Sequence, residues 1–306
     1  MAISNTDQTL EPPIEGKAVK KKSAGLGFDW QTIVASPAFI PGALVFAGIV
    51  LLFWQMMKFL PDLWMSEDGY YSHGFLVPFI SGYIIYKNWD KLKDRAVKPV
   101  WIASVPLVIC MYLALIAART DMYAIASVAL LGTLWCSMLM VAGWQWLKGT
   151  FLVIGYLIFA LPIWSMAIEI YTNPLQQAST QVAYQLLNLM GFNPYFGDPS
   201  TIHLSQFTLN IAVPCSGLKL LLALTAFTTF FMLVANLKLM GNLVMVVLVL
   251  PLALFINGLR IALIGVVGNM YGHDAGMQFH DYSGYLTLIV CFFILFRIAR
   301  GLGWKD

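Results

Sequence analysis

Residues 214–235 read PCSGLKLLLALTAFTTFFMLVA. They pass from a turn-forming Pro-Cys-Ser-Gly into eighteen residues whose one charge is Lys219. Crossing hydrocarbon takes about 20 apolar residues in a helix, so this segment reads as a membrane span over roughly 216 to 235. Working outward, seven more stretches come near that length: about 38 to 60, 72 to 87, 100 to 118, 122 to 142, 149 to 170, 243 to 264 and 285 to 303. The expected fold is therefore all-α and polytopic, with about eight transmembrane helices.

Composition agrees. With 306 residues, 59% hydrophobic and 11% charged, and a mean hydropathy of +0.76, the chain cannot dissolve as a globule. Orientation follows from Lys and Arg, which are retained on the cytoplasmic side of spans. With the N-terminus inside, 14 of the 18 basic residues fall on inner segments, and the loop from Tyr171 to Pro214 has none. Both termini are then cytoplasmic. The +3 net charge is spent on topology and no nucleic-acid motif occurs, so nucleic acid is not an expected partner. Residues 1–36, with Lys17, Lys20, Lys21 and Lys22, read as a flexible cytoplasmic tail that can touch anionic membrane lipid. The tail lacks a removable signal peptide, so the first anchor is expected to be retained. Residues 37–306 form a single membrane domain without internal repeats.

On this topology the four histidines, His73, His203, His273 and His280, all lie at the outer boundary, with Asp198, Asp274 and Asp281. Cys110, Cys136 and Cys291 lie mid-span and read as small hydrophobes; a disulfide framework is not expected. Cys215 differs. Ser216 and Gly217 open a helix whose N–H groups and dipole favour an anion, and Lys219 adds a cation one turn on, so a reactive thiolate competes with plain packing. Arg260, in Phe255-Ile256-Asn257-Gly258-Leu259-Arg260, lies about 25 Å along its span at 1.5 Å per residue, at the depth of Cys215. An intramembrane guanidinium faces a polar cavity or snorkels to the interface. Asn257, three residues earlier, shares its helix face and is placed to orient it or to bind a substrate backbone. His280, immediately before the last span, has the chemistry to exchange protons with a thiol or an amine. His273, Asp274 and His203 offer a competing metal reading, but no two ligands show HxxxH or HExxH spacing, so neither metal nor cofactor is expected.

The outer loop has its own pattern. Leu175, Ala178, Val182, Leu186, Leu189 and Met190 recur at helical spacing with Gln176, Thr180 and Gln181 opposite, which predicts an interfacial amphipathic helix over 174–190. Gly197 and Pro199 predict a turn. Ile202 and Leu204, then Phe207, Leu209 and Ile211, alternate like two short strands of a hairpin, either an edge for an extended peptide or a packed lid.

Four motifs occur in order: Ser72-His73-Gly74-Phe75-Leu76-Val77-Pro78, Pro-Cys-Ser-Gly at 214–217, Asn-Gly-Leu-Arg at 257–260, and His280 opening the last span. Over about residues 60 to 300 the chain resembles the exosortase/archaeosortase family. The resemblance implies a membrane cysteine peptidase/transpeptidase that processes membrane-anchored proteins bearing a C-terminal motif, a transmembrane helix and a basic cluster, of the PEP-CTERM type. It implies Cys215 as nucleophile, Arg260 as electrostatic stabiliser and His280 as acid/base, with Asn257, Ser216, Gly217, Lys219, His73 and Asp281 in support. A His at position 280 points to the bacterial branch, hence to the cytoplasmic membrane with the site on its outer face. A transporter with a helix broken near Gly258, Gly265 and Gly268, or a scaffold subunit of an export system, is the alternative from the residues alone.

Overall fold

Pro162 decides where the fifth expected span ends. Proline forces its predecessor out of the α region, and Leu161 is extended at φ −104°, ψ 144°. The computed structural model describes residues 39–66, 69–235 and 237–304; the basic tail at 1–36 lies outside them. In chain order the helices are α1 (Phe39–Leu52), α2 (Trp54–Met65), α3 (Leu76–Lys87), α4 (Trp89–Lys93), α5 (Ser104–Thr120), α6 (Tyr123–Ala142), α7 (Trp144–Tyr156) and α8 (Ser165–Leu189). The strands β1 (Tyr195–Asp198), β2 (Thr201–His203) and β3 (Thr208–Asn210) follow, then α9 (Leu218–Ala235), α10 (Leu239–Tyr271) and α11 (His273–Gly301).

Five of these helical stretches, 101–120, 123–142, 218–235, 239–271 and 273–301, are long and apolar enough to cross a bilayer. The count among described residues reaches seven if each bent pair forms one span: α1 with α2, bent by 68°, and 144–160 with 162–189, bent by 66°. The protein is thus a multi-pass membrane protein. The second expected span, 72–87, forms only the twelve-residue α3, about 18 Å against a core of about 30 Å.

Two helices run past their expected ends. α10 has 33 residues and α11 has 29, where 243–264 and 285–303 were expected. Only Gly272 separates them, at φ 91°, ψ 173°, a conformation open in practice to glycine alone. The pair is therefore an antiparallel hairpin, and His280 lies within α11 instead of ahead of it. α10 is continuous through Gly258, Gly265 and Gly268, so these glycines do not mark a broken helix. They admit neighbours: a Cβ at Gly258 would meet Val182, and one at Gly268 would meet the Phe207 ring.

The loop departs from expectation in two ways. The amphipathic helix starts at Ser165, with Pro174 inside it. Its buried face is Thr172, Gln176, Ser179, Thr180, Ala183 and Leu187, whereas Leu189 is 83% exposed. Gln181 is exposed as expected, but Gln176 and Thr180 of the polar stripe are turned inward, and Gln176 bonds a carbonyl of the segment leading to Cys215, as described below. The sheet has three antiparallel strands in the order β1-β2-β3, one more than the expected hairpin. Gly197 belongs to β1, at a register shift between Phe196 and Asp198, and the turn follows at 199–200. In that turn Asp198 accepts from the Ser200 N–H and hydroxyl. The Ser200 backbone bond first, and the Thr201 and Ser200 side chains next, hold its carboxyl below the usual range.

Alternation places Ile202, Leu204, Phe207, Leu209 and Ile211 in one core with Ala183 and Leu187 of α8 and Ile261, Ala262 and Ile264 of α10. The sheet is clamped between α8 and α10, and its third strand runs into Cys215.

Candidate active site

Cys215 closes a 3-10 turn, Val213–Cys215, three residues ahead of α9. Its N–H donates to the Ala212 carbonyl at 2.9 Å. Gly217 follows at φ 87°, which turns the chain into the helix. Ser216 is fully buried and its hydroxyl accepts from the Leu218 N–H at 3.3 Å, capping the first turn of α9.

Three bonds hold this segment. Asn257 of α10, 2% exposed, donates its amide to the Cys215 carbonyl at 2.9 Å. Ser179 of α8 donates to the Ser216 carbonyl at 3.2 Å, and Gln176 donates to the Ile211 carbonyl. Asn257 therefore anchors the backbone at Cys215; it does not orient Arg260, one of the two roles expected for it. No sequence motif marks Gln176 and Ser179 as part of the site. Their signal was a row of polar residues, one helical turn apart, on a helix otherwise able to bury apolar ones.

The hairpin of α10 and α11 supplies the other half. Side chains equally far from the turn of an antiparallel pair meet, and Arg260 and Ser283 lie twelve and eleven residues from Gly272. Arg260 Nε donates to Ser283 Oγ at 3.0 Å and its Nη2 to the His280 carbonyl at 3.1 Å. Ser283 Oγ in turn donates to the His280 carbonyl at 3.1 Å, so the guanidinium fixes the helical turn that carries the imidazole. Ser283, 5% exposed, is a third residue of the cluster that no sequence motif marks; its place one turn after His280 is the local signal. Arg260 also lies near enough to Cys215 to interact with it electrostatically.

The halves meet at the thiol. Cys215 Sγ is 2.9 Å from His280 Nε2, and His280 Nδ1 is 3.1 Å from Asp281 Oδ1. A carboxylate can only accept, so Nδ1 carries a proton, and in the neutral imidazole Nε2 faces sulfur with its lone pair. It can take the thiol proton and hold it as imidazolium beside a thiolate. Asp281 is 72% exposed at its side chain, which makes it an orienting partner in a solvated position.

The remaining expected residues sit elsewhere. His73, 6% exposed, lies in the turn before α3 with Nδ1 unpartnered, and Lys219 interacts with it electrostatically. His203 bonds Thr208 Oγ1 at 3.0 Å and stacks on Tyr195 inside the sheet. His273 opens α11 beside Phe207. Among the described residues no three of His, Cys, Asp and Glu are grouped to hold a metal.

No curated protein and no solved structure matches the chain. A family model does: the one described as transmembrane exosortase (Exosortase_EpsH) matches residues 64–297, which is 234 of 306 residues and includes every side chain of the Cys215 cluster. With that match over three quarters of its length, the chain belongs to the transmembrane exosortase family.

Proposed function

We propose that this protein is a membrane-embedded cysteine peptidase/transpeptidase that cleaves C-terminal sorting signals from exported, membrane-anchored proteins. The observation that carries the reading is the 2.9 Å contact between Cys215 Sγ and His280 Nε2, with Arg260 beside it. The Lys and Arg distribution further supports a bacterial cytoplasmic membrane with the reaction on its outer face.

In the first step the Cys215 thiolate attacks the scissile carbonyl carbon. A C–S bond forms and the oxygen takes the electron pair, near the Arg260 guanidinium. As the C–N bond breaks, His280 Nε2 gives its proton to the departing amine. The released fragment holds the substrate's transmembrane helix and basic cluster. In the second step an incoming amine or hydroxyl of a cell-surface acceptor, or water, loses its proton to His280 and attacks the thioester, and the C–S bond breaks. Transfer to an acceptor is the family's expected outcome.

The reading is tested with a co-expressed reporter that ends in such a signal. Cys215→Ala and Cys215→Ser should both abolish the mass change of the reporter, and wild-type protein should accumulate a hydroxylamine-sensitive adduct. Unimpaired processing by either variant overturns the proposal.

A further inference from the structure

The third strand has a free side. In an antiparallel ladder, residues alternate between bonding the partner strand and facing away from it. Leu204 N–H donates to the Phe207 carbonyl and Ile211 N–H to the Ser200 carbonyl, while the register pairs Ile202 with Leu209. Residues 207, 209 and 211 are therefore turned towards β2, and Thr208 and Asn210 present their main-chain groups away from it. Ala212 continues this alternation with φ −68°, ψ 162°. Among the described residues no loop or inter-element backbone bond reaches the N–H of Thr208, Asn210 or Ala212, and all three are exposed.

This edge is coupled to the nucleophile. The Ala212 carbonyl accepts the Cys215 N–H, so one turn joins the end of the edge to the thiol. Residues 208–212 span about 13 Å at 3.3 Å per residue, enough to pair about five residues of an extended chain. The far edge, β1, lies two strand spacings away, roughly 9.6 Å, and has no such link.

Resting on the peptidase reading above, we infer that residues 208–212 dock the substrate as an added β-strand, main chain to main chain. The docked segment is the acyl side of the scissile bond, since the leaving side runs into the substrate's transmembrane helix. Binding through the backbone holds the peptide extended and leaves only the side chains nearest the bond to be read for sequence.

The test uses purified full-length protein in detergent and two electrophiles: iodoacetamide, and a five-residue peptidyl chloromethyl ketone whose warhead occupies the scissile carbonyl. Both are scored as alkylation of Cys215 by mass spectrometry. Ala212→Pro removes one outward N–H where φ already suits proline. It should slow the peptidyl reagent about fivefold to tenfold, the value of one hydrogen bond, with iodoacetamide unchanged within twofold. On the wild-type protein, N-methylating the peptide one residue at a time should slow it with a period of two. A flat N-methyl scan, or peptidyl alkylation unaffected by Ala212→Pro, overturns the docking edge and leaves the peptidase reading standing. A Cys215 that the peptidyl reagent modifies no faster than it modifies Cys110 or Cys136 overturns both.

Discussion

The chemistry of the cluster depends on which atoms already have partners. His280 is held at Nδ1 by Asp281 and at its carbonyl by Arg260 and Ser283, so its Nε2 stays aimed at sulfur. His280→Gln keeps a polar side chain but cannot carry the proton. It should lower reporter processing by about 10² to 10⁴-fold, the usual contribution of a positioned acid/base, and slow iodoacetamide at Cys215 near neutral pH. Unchanged alkylation would remove His280 from the thiol's activation. Gly217 is constrained twice: its φ is 87°, and a Cβ there would stand 2.9 Å from Asn257 Nδ2. Gly217→Ala should cost about 1–2 kcal/mol from backbone strain alone and push Asn257 off the Cys215 carbonyl. A lowered melting temperature in detergent, with processing reduced more than stability explains, is the expected result.

At the scale of elements, the α10–α11 hairpin sets the register of Arg260 against Ser283 through one residue. Beyond the two neighbouring residues no atom lies within 4 Å of a Cβ built on Gly272, so Gly272→Ala meets no clash with the rest of the protein and costs conformation only. The expected cost is about 1–3 kcal/mol. Relief of that strain by shifting the hairpin would separate Arg260 from Ser283, so processing should fall although Gly272 touches no site residue. Wild-type processing in the variant would show that the register does not depend on this turn.

Elements also show what the sequence could disclose. Long apolar runs marked α5, α6, α9, α10 and α11, because the bilayer imposes length directly on composition. The segment HDAGMQFHDYSG at 273–284 read as a loop because its residues are polar. It is helical because α11 continues beyond the length that lipid requires. Part of the buried side of α8 is hidden for a related reason: apolar periodicity assumes that polar residues face water, whereas Gln176 and Ser179 face carbonyls. Cys215, Arg260 and His280 were legible as residue types at a common depth. Asn257's bond to a carbonyl and Ser283's bond to a guanidinium depend on register between segments distant in sequence, which no local pattern records.

For the whole molecule, the four cysteines form a built-in probe of placement. Cys291 is fully buried, and Cys110 and Cys136 sit within the apolar helices α5 and α6. Cys215 alone lies at a loop junction. A membrane-impermeant maleimide added to intact cells or spheroplasts should label one thiol, and the same reagent in denaturant should label four. Labelling of Cys215 only in inverted vesicles would reverse the proposed orientation.

The hairpin turn at Gly272 has a consequence for biosynthesis. Cys215 leaves the ribosome 45 residues before Arg260 and 65 before His280. Until α10 and α11 have both been made and folded back on each other, the thiol has neither its proton partner nor the neighbouring charge. A nascent chain therefore carries Cys215 past the insertion machinery without these two partners, and on the proposed reading the α10–α11 hairpin arms the thiol only once both helices are in place.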